Sequence, residues 1–212
     1  MRITVSVSLF AILIASGCSN LERSRSLTNP ETSARTIALQ VCSNCHGVDG
    51  NSTSPNFPNL AAQQKTYFVA QLKEFRGHNR LDPAGFEYMW GLSRSLTDSQ
   101  IDGLADYFAV QIPKRPALPD VNLARDGRDV YEKGVPGKNI PSCSTCHGDR
   151  GQGNDTFPRL AYQHSDYVYK QLIVFQRTDE RPEGRIMETI AHDLTEQNMK
   201  AVAAYLQGFP AP

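Results

Sequence analysis

The sequence Cys-x-x-Cys-His occurs twice in this chain of 212 residues, and it constrains the fold more than any other feature. Two thiols three residues apart on one helical turn can reach the two vinyl groups along one edge of a porphyrin, and the adjacent histidine then falls under the iron. The two copies therefore predict two covalently bound haem c groups. The predicted thioether links are Cys42, Cys45, Cys143 and Cys146, and the predicted proximal iron ligands are His46 and His147.

A Cys-x-x-Cys pair also occurs in two other kinds of protein site, the structural zinc site and the redox dithiol. A structural zinc ion needs four protein ligands, and no second cysteine pair lies near either copy in the sequence. A redox dithiol has no need of the same histidine in both copies. The haem interpretation is therefore favoured over both alternatives.

Length and charge limit the class of protein further. A chain of 212 residues has room for two small domains. Small domains have little apolar surface to bury, so a covalent haem that forms part of each core has a physical role in folding. The 22 basic and 22 acidic side chains balance, which argues against a nucleic-acid partner.

The N-terminus has the pattern of an export signal over residues 1–17, with a basic Arg2, an apolar run and small residues before Cys18. The position of Cys18 resembles a bacterial lipobox, whose cysteine carries the lipid, although Ala15 stands where leucine is usual. Ordinary signal cleavage that leaves a free thiol is the alternative. Residues 18–33 are polar and without apolar periodicity, which indicates a flexible tether. Either route predicts a periplasmic protein.

The remainder predicts an all-α chain made of two tandem domains, residues 34–112 and 123–212, joined by a proline-rich linker over residues 113–122. The segment Phe-Pro-x-Leu occurs in both halves, and helical stripes with intervals of three and four follow it in both. Thr97, with Gln100 three residues on, predicts a capping box at the start of the last helix of the first domain. No segment alternates like a strand.

The same repeat identifies candidates for the second axial position on each iron. An offset of 98 residues maps Met187 onto Met89 and Met199 onto Ile101, which lies in a helical apolar stripe. Met199 is therefore predicted to be a core residue. Met89 and Met187 are predicted to lie in irregular segments where a thioether can face the iron, and gap-filling in the core is the alternative. A thioether favours ferrous iron, so His/Met ligation predicts high reduction potentials.

Two prolines are candidates for orienting the histidines. Pro58 and Pro158 follow His46 and His147 by 12 and 11 residues. A proline carbonyl can accept a hydrogen bond from Nδ1–H of the histidine and fix its tautomer, as partners of metal ligands commonly do. Ordinary loop prolines are the alternative.

Several other side chains are interpreted as ordinary surface or capping groups. The histidines in this class are His78, His164 and His192. The arginines that recur in both halves, Arg76, Arg80, Arg177 and Arg181, are interpreted as solvated charges, with a place near haem propionates as the alternative. Trp90 directly follows Met89, and it fits either packing against a haem or a partner surface.

Taken together, the haem motifs, the Phe-Pro-x-Leu segment, the methionines and the repeated Tyr-x-x-x-Gln-Leu of Tyr67–Leu72 and Tyr167–Leu172 resemble cytochrome c4. The resemblance covers about residues 34–208 and implies two class I cytochrome c folds, each with a few helices around one haem. It also implies that the haems face each other across a pseudo-twofold interface. By this likeness the axial ligands are His46, Met89, His147 and Met187.

The resemblance further implies a carrier of single electrons from a quinol-oxidising respiratory complex to a haem-copper terminal oxidase. Two other classes stay open. One is a cytochrome subunit bound to a dehydrogenase or reductase, and only the predicted anchor at Cys18 favours it. The other is a two-haem peroxidase, which needs an open iron site and an acid/base pair beside it, and the matching methionines argue against it.

Overall fold

The computed structural model describes residues 26–117 and 120–209, so the predicted signal peptide and Cys18 lie outside the described residues. Over the described ranges the chain is helical, with two isolated β-bridges and no strand, which confirms the all-α prediction. Within the same ranges, none of the helices is both long enough and apolar enough to span a bilayer.

Five α-helices form the first half of the molecule. They are α1 (Ala34–Ile37), α2 (Ser43–His46), α3 (Lys65–Arg76), α4 (Trp90–Ser93) and α5 (Asp98–Ala109). A π-helical segment, Ala38–Cys42, joins α1 to α2, and a second one, Gly85–Met89, leads into α4. The side chain of Thr97 accepts from the backbone N–H of Gln100 and the Gln100 side chain returns the contact, so the predicted capping box is confirmed.

The second half repeats this order with five more α-helices. They are α6 (Val121–Lys133), α7 (Ser144–His147), α8 (Ser165–Arg177), α9 (Arg185–Ala191) and α10 (Glu196–Gln207). Two short 3₁₀ turns, Pro136–Lys138 and Pro182–Gly184, have proline at their first turn, where a missing N–H costs nothing. Thr195 caps α10 by the same box geometry, with Asn198 in place of glutamine.

Each half has its own apolar core, and the two cores are built from matching helix stripes. In the first half the stripes of α3 and α5 meet, and the residues buried there include Phe68, Leu72, Ile101, Leu104 and Phe108. In the second half the corresponding residues are Val168, Leu172, Met199, Val202 and Leu206. Fully burying one side chain of this size contributes about 1.5–3 kcal/mol, so the repeated stripes specify the same fold twice.

The linker is held to both halves. Lys114 forms an ion pair with Asp49 at 2.5 Å, and its backbone N–H donates to Asn51 Oδ1. The next residue contacts the other half, because Arg115 donates to the carbonyl oxygen of Gly208 at 2.6 Å. The first residues of the linker therefore contact both halves.

Candidate functional site

Both haem motifs end in the same backbone geometry. The helices α2 and α7 finish at the motif histidines, and the next residues, Gly47 and Gly148, take φ values of +78° and +80°. A Cβ on Gly47 would lie 2.3 Å from the carbonyl oxygen of Asn51, so only glycine fits there. This turn directs the chain away immediately after the histidine.

The two motif histidines are buried and make equivalent contacts. His46 and His147 are 7% and 6% exposed, and their Nδ1 atoms lie 2.8 Å and 3.0 Å from the carbonyl oxygens of Pro58 and Pro158. A carbonyl oxygen only accepts, so Nδ1 carries the proton and donates. Burial lowers the pKa of both imidazoles, although the carbonyl contact opposes it. Each histidine is therefore neutral, with Nε2 available as a metal ligand.

An aromatic edge supports each imidazole ring. Phe57 and Phe157 both lie with ring centroids 6.2 Å from their histidines, in edge-on geometry. Because each phenylalanine directly precedes the proline that accepts from Nδ1, one short loop sets both the hydrogen bond and the ring orientation. The Phe-Pro-x-Leu repeat in the sequence is this loop.

The motif thiols are half-buried, and the first one of each motif favours the protonated form. Burial raises the pKa of Cys42 to about 12 and that of Cys143 to about 11. A reactive dithiol needs the opposite shift, so these environments do not suit thiol exchange. Within the described residues, no group of three or more His, Cys, Asp or Glu side chains is placed to hold a metal ion.

The candidate methionines pack against the same cores as the first cysteine of each motif. Met89 and Cys42 lie against the first core, and Met187 and Cys143 against the second, whereas Met199 is fully buried inside the second core. The prediction that Met89 and Met187 lie in irregular segments was wrong. Met89 ends a π-helical turn and Met187 lies within α9.

Met89 departs from the predicted irregular segment because the chain before it forms a wide, π-helical turn. A π-helical turn places one extra residue in the turn, which such segments commonly do at functional sites. The hydroxyl of Ser93, at the end of α4, then donates to the carbonyl oxygen of Met89 at 2.6 Å. No apolar periodicity marks such a turn in the sequence.

A reciprocal contact joins the two halves beside the histidine loops. The side-chain amide of Gln163 accepts from the N–H of Asn59 at 2.7 Å and donates to its carbonyl at 3.0 Å. The amide of Gln63 accepts from the N–H of Arg159 at 2.7 Å and donates to its carbonyl at 3.2 Å. Asn59 and Arg159 directly follow the prolines that contact the histidines, so the interface and the two sites share these loops.

The buried centre of the interface holds two arginines. Arg80 and Arg181, 2% and 6% exposed, each donate to the side-chain oxygens of both Gln71 and Gln171. Arg80 also pairs with Asp82, which is 1% exposed. Interpreting these two arginines as solvated charges was wrong, because the docking of the second half excludes water from them. Arg177, by contrast, is exposed.

One of the other histidines, His164, also differs from the prediction of a surface or capping group. His164 is buried, and its Nε2 lies 3.0 Å from the carbonyl oxygen of Ser52 in the other half. His78 stacks on Trp90 with ring centroids 4.5 Å apart, in a left-handed backbone conformation with φ +57°. His192 is exposed, as predicted.

The residues at each site fit a covalently held haem. In each half a motif cysteine and a methionine pack on one core. The imidazole of the motif histidine is neutral and donates through Nδ1, and burial keeps the first thiol of the motif protonated. His46 and His147 would hold the iron through Nε2, and the four motif cysteines would hold the porphyrin edge. The iron of a bound haem c supplies one reversible electron.

Known proteins resemble this chain over most of its length. A cytochrome c family model matches it twice, over residues 32–109 and 124–209. Cytochrome c-552 of Acidithiobacillus ferridurans is 40% identical over 78% of this chain and 72% of that protein. Cytochrome c4 of Pseudomonas aeruginosa is 36% identical over 79% and 83%. The solved structure of Acidithiobacillus ferrooxidans cytochrome c4 matches with a TM-score of 0.75 at 39% identity, covering 79% of this chain and 98% of that one.

A differently named relative is also similar over most of the chain. A thiosulfate dehydrogenase electron acceptor of Stutzerimonas stutzeri is 31% identical over 79% of this chain and 78% of that protein. The resemblance therefore extends to a protein named for its electron donor.

Proposed function

We propose that this chain, which belongs to the cytochrome c4 family, uses a His/Met-ligated iron in each domain to carry single electrons between two other redox proteins. Its two cytochrome c domains each bind one haem c covalently, so the protein is a two-haem electron-transfer cytochrome. The ligands, the partners and the absence of substrate chemistry are the proposed parts.

The observation that supports the ligand set best is the duplicated contact between each motif histidine and a proline carbonyl, at 2.8 Å and 3.0 Å. This contact holds the proton on Nδ1, so Nε2 of His46 and of His147 can face an iron. Met89 and Met187 would supply the second protein ligand of each iron, because each packs on the core that also carries the first motif cysteine of its domain.

The chain's own residues then favour electron transfer over bond chemistry. Two protein ligands on each iron leave no position for a substrate, and thioether ligands raise the reduction potential. The contacts of Phe57, Pro58 and their counterparts would hold each ligand histidine in one orientation. A peroxidase would need an open iron and an acid/base pair beside it.

Carbon monoxide tests this proposal on the native two-haem protein at neutral pH. We expect the reduced protein to bind little carbon monoxide at either iron and to show negligible peroxide turnover. Stoichiometric binding at one iron, together with efficient turnover of peroxide, would support the enzyme alternative instead.

The proposed partners are a quinol-oxidising respiratory complex as donor and a haem-copper terminal oxidase as acceptor. Membranes that contain the oxidase should oxidise the reduced protein rapidly. The second candidate is a cytochrome that takes electrons from a dehydrogenase, and the likeness to the thiosulfate dehydrogenase electron acceptor favours it. Reduction by a thiosulfate dehydrogenase with thiosulfate, compared with reduction by quinol-oxidising membranes, discriminates between the two donors.

The proposed location is the periplasm, with Cys18 acylated as a membrane anchor. The support is the sequence pattern of residues 1–17 and the polar tether that follows. Changing Cys18 to serine should release the protein from membranes with both haems in place. An unmodified N-terminal peptide in the intact mass of the native protein would contradict acylation.

A further inference from the structure

We propose that Gln63 and Gln163 each tune the reduction potential of the haem in the opposite domain, acting through a single peptide unit. The peptide that joins Pro58 to Asn59 is the first of these units. Its oxygen accepts from Nδ1–H of His46 at 2.8 Å, and its N–H donates to Oε1 of Gln163 at 2.7 Å. The second domain therefore contacts the ligand histidine of the first through one intervening amide.

The mirror arrangement occurs on the other side of the interface. The peptide that joins Pro158 to Arg159 accepts from Nδ1–H of His147 at 3.0 Å and donates to Oε1 of Gln63 at 2.7 Å. Gln63 and Gln163 are 9% and 6% exposed, so water does not compete for these hydrogen bonds. The same relay thus occurs twice, and in each copy it crosses the interface.

The direction of the effect follows from hydrogen-bond cooperativity. A peptide whose N–H donates to a good acceptor becomes polarised, and its oxygen becomes a stronger acceptor, by roughly 10–30% per bond. A stronger acceptor at Nδ1–H makes the imidazole a more basic ligand. A more basic ligand stabilises ferric over ferrous iron. Each glutamine is therefore expected to lower the potential of the haem in the opposite domain.

The two-point contact makes this a specific role for the two glutamines. Besides accepting from Asn59, Gln163 donates to the carbonyl of the same residue at 3.0 Å, which fixes the orientation of its amide. The side chain of Gln64 makes only one hydrogen bond across the interface, from Nε2 to the carbonyl oxygen of Gln152 at 2.8 Å. That bond touches neither relay peptide, so Gln64 provides a matched control.

This inference rests on the proposed function, in that His46 and His147 must ligate the irons. The test uses the full two-haem protein, with NMR signals of haem methyl groups reporting the potential of each haem separately. In Gln163→Met we expect the reduction potential of the first haem to rise. The equilibrium constant for its one-electron reduction should increase roughly two- to tenfold, where tenfold is about 59 mV. The second haem should move much less. In Gln63→Met the pattern should be reversed.

Two further variants distinguish tuning from loss of interface structure. Gln163→Glu keeps an acceptor for the Asn59 amide, so the first haem should stay at or below its wild-type potential. Gln64→Met removes one interdomain hydrogen bond and should shift neither haem selectively. Equal shifts of both haems, shifts confined to the domain of the substituted glutamine, or no shift in a folded protein would each overturn the proposal.

A measurement on the wild-type protein covers the case in which Gln163→Met does not fold. The amide proton of Asn59 should shift on reduction of the first haem, and that of Arg159 on reduction of the second, more than the neighbouring amides do. Amides insensitive to reduction would overturn the relay. A wild-type protein without histidine-ligated haems would instead overturn the proposed function, so the two failures are distinguishable.

Discussion

Gly127 of α6 lies directly against the backbone of Ala201 in α10, so closely that a Cβ on Gly127 would be 1.9 Å from the Ala201 carbonyl oxygen. In the first domain the first and last helices also cross closely, but there the glycine lies on the last helix and not on the first. There Gly103 of α5 faces Ala34 of α1, and a Cβ on Gly103 would lie 2.6 Å from the Ala34 Cβ. Close approach of the first and last helices is thus common to both domains, whereas the helix that carries the glycine is not.

Gly127→Ala should therefore destabilise the second domain. The added methyl group meets backbone, which cannot rotate away, and overpacking of this kind costs roughly 1–3 kcal/mol. Urea unfolding followed through the haem absorbance measures the change. Gly137→Ala in the same domain is the control, because a Cβ there meets nothing within 4 Å. Equal stability of the two variants would contradict the close crossing.

Met187→Ala should remove the sulfur-to-iron charge-transfer band of one haem and lower the potential of that haem. The reason is that Met187 is the proposed ligand of the second iron, and loss of the thioether removes the stabilisation of ferrous iron. Visible absorption and a redox titration measure both effects. Met199→Leu is the control, since Met199 is fully buried on α10 and the two side chains have similar volumes. Loss of the band in the control instead would reverse the assignment.

Arg80→Met should lower the free energy of unfolding by about 3–5 kcal/mol, because it leaves the buried carboxylate of Asp82 without its partner. Chemical unfolding measures this loss. The double variant Arg80→Met with Asp82→Leu should recover much of it, since no isolated charge then remains. Arg177→Met, at an exposed arginine, should change little. A single variant as stable as the wild type would show that the pair does not contribute.

Acid should destabilise the protein through its buried histidines. Burial lowers the pKa of His46 and His147 in the folded state, and a bond to iron acts in the same direction. At pH values above about 6.5, the pKa of histidine in the unfolded chain, these two histidines do not change the free energy of unfolding. Below it the unfolded chain binds more protons, so the free energy of unfolding falls as the pH falls. Urea unfolding at pH 8, 6.5 and 5 measures this slope. His192→Gln should retain it, and a flat profile would contradict the prediction.

The sequence predicted the helices well because their causes are local. The stripe of Phe68, Leu72 and Phe75 has helical intervals, and Thr97 with Gln100 is a complete start signal within four residues. The duplication strengthened these predictions, because each stripe in one half could be compared with its counterpart. The wide π-helical turn that ends at Met89 was not predictable in this way, since it leaves no periodic signal.

By itself the sequence determined what depends on neighbouring residues along the chain. It determined two haem motifs, two helical units and the candidate role of the loops that contain Pro58 and Pro158. Only the tertiary structure decided which polar side chains became buried. Arg80 and His164 have ordinary polar surroundings in sequence, and they lose contact with water because the second domain docks on the first. A pairing between residues about a hundred positions apart depends on that docking, and no local pattern encodes it.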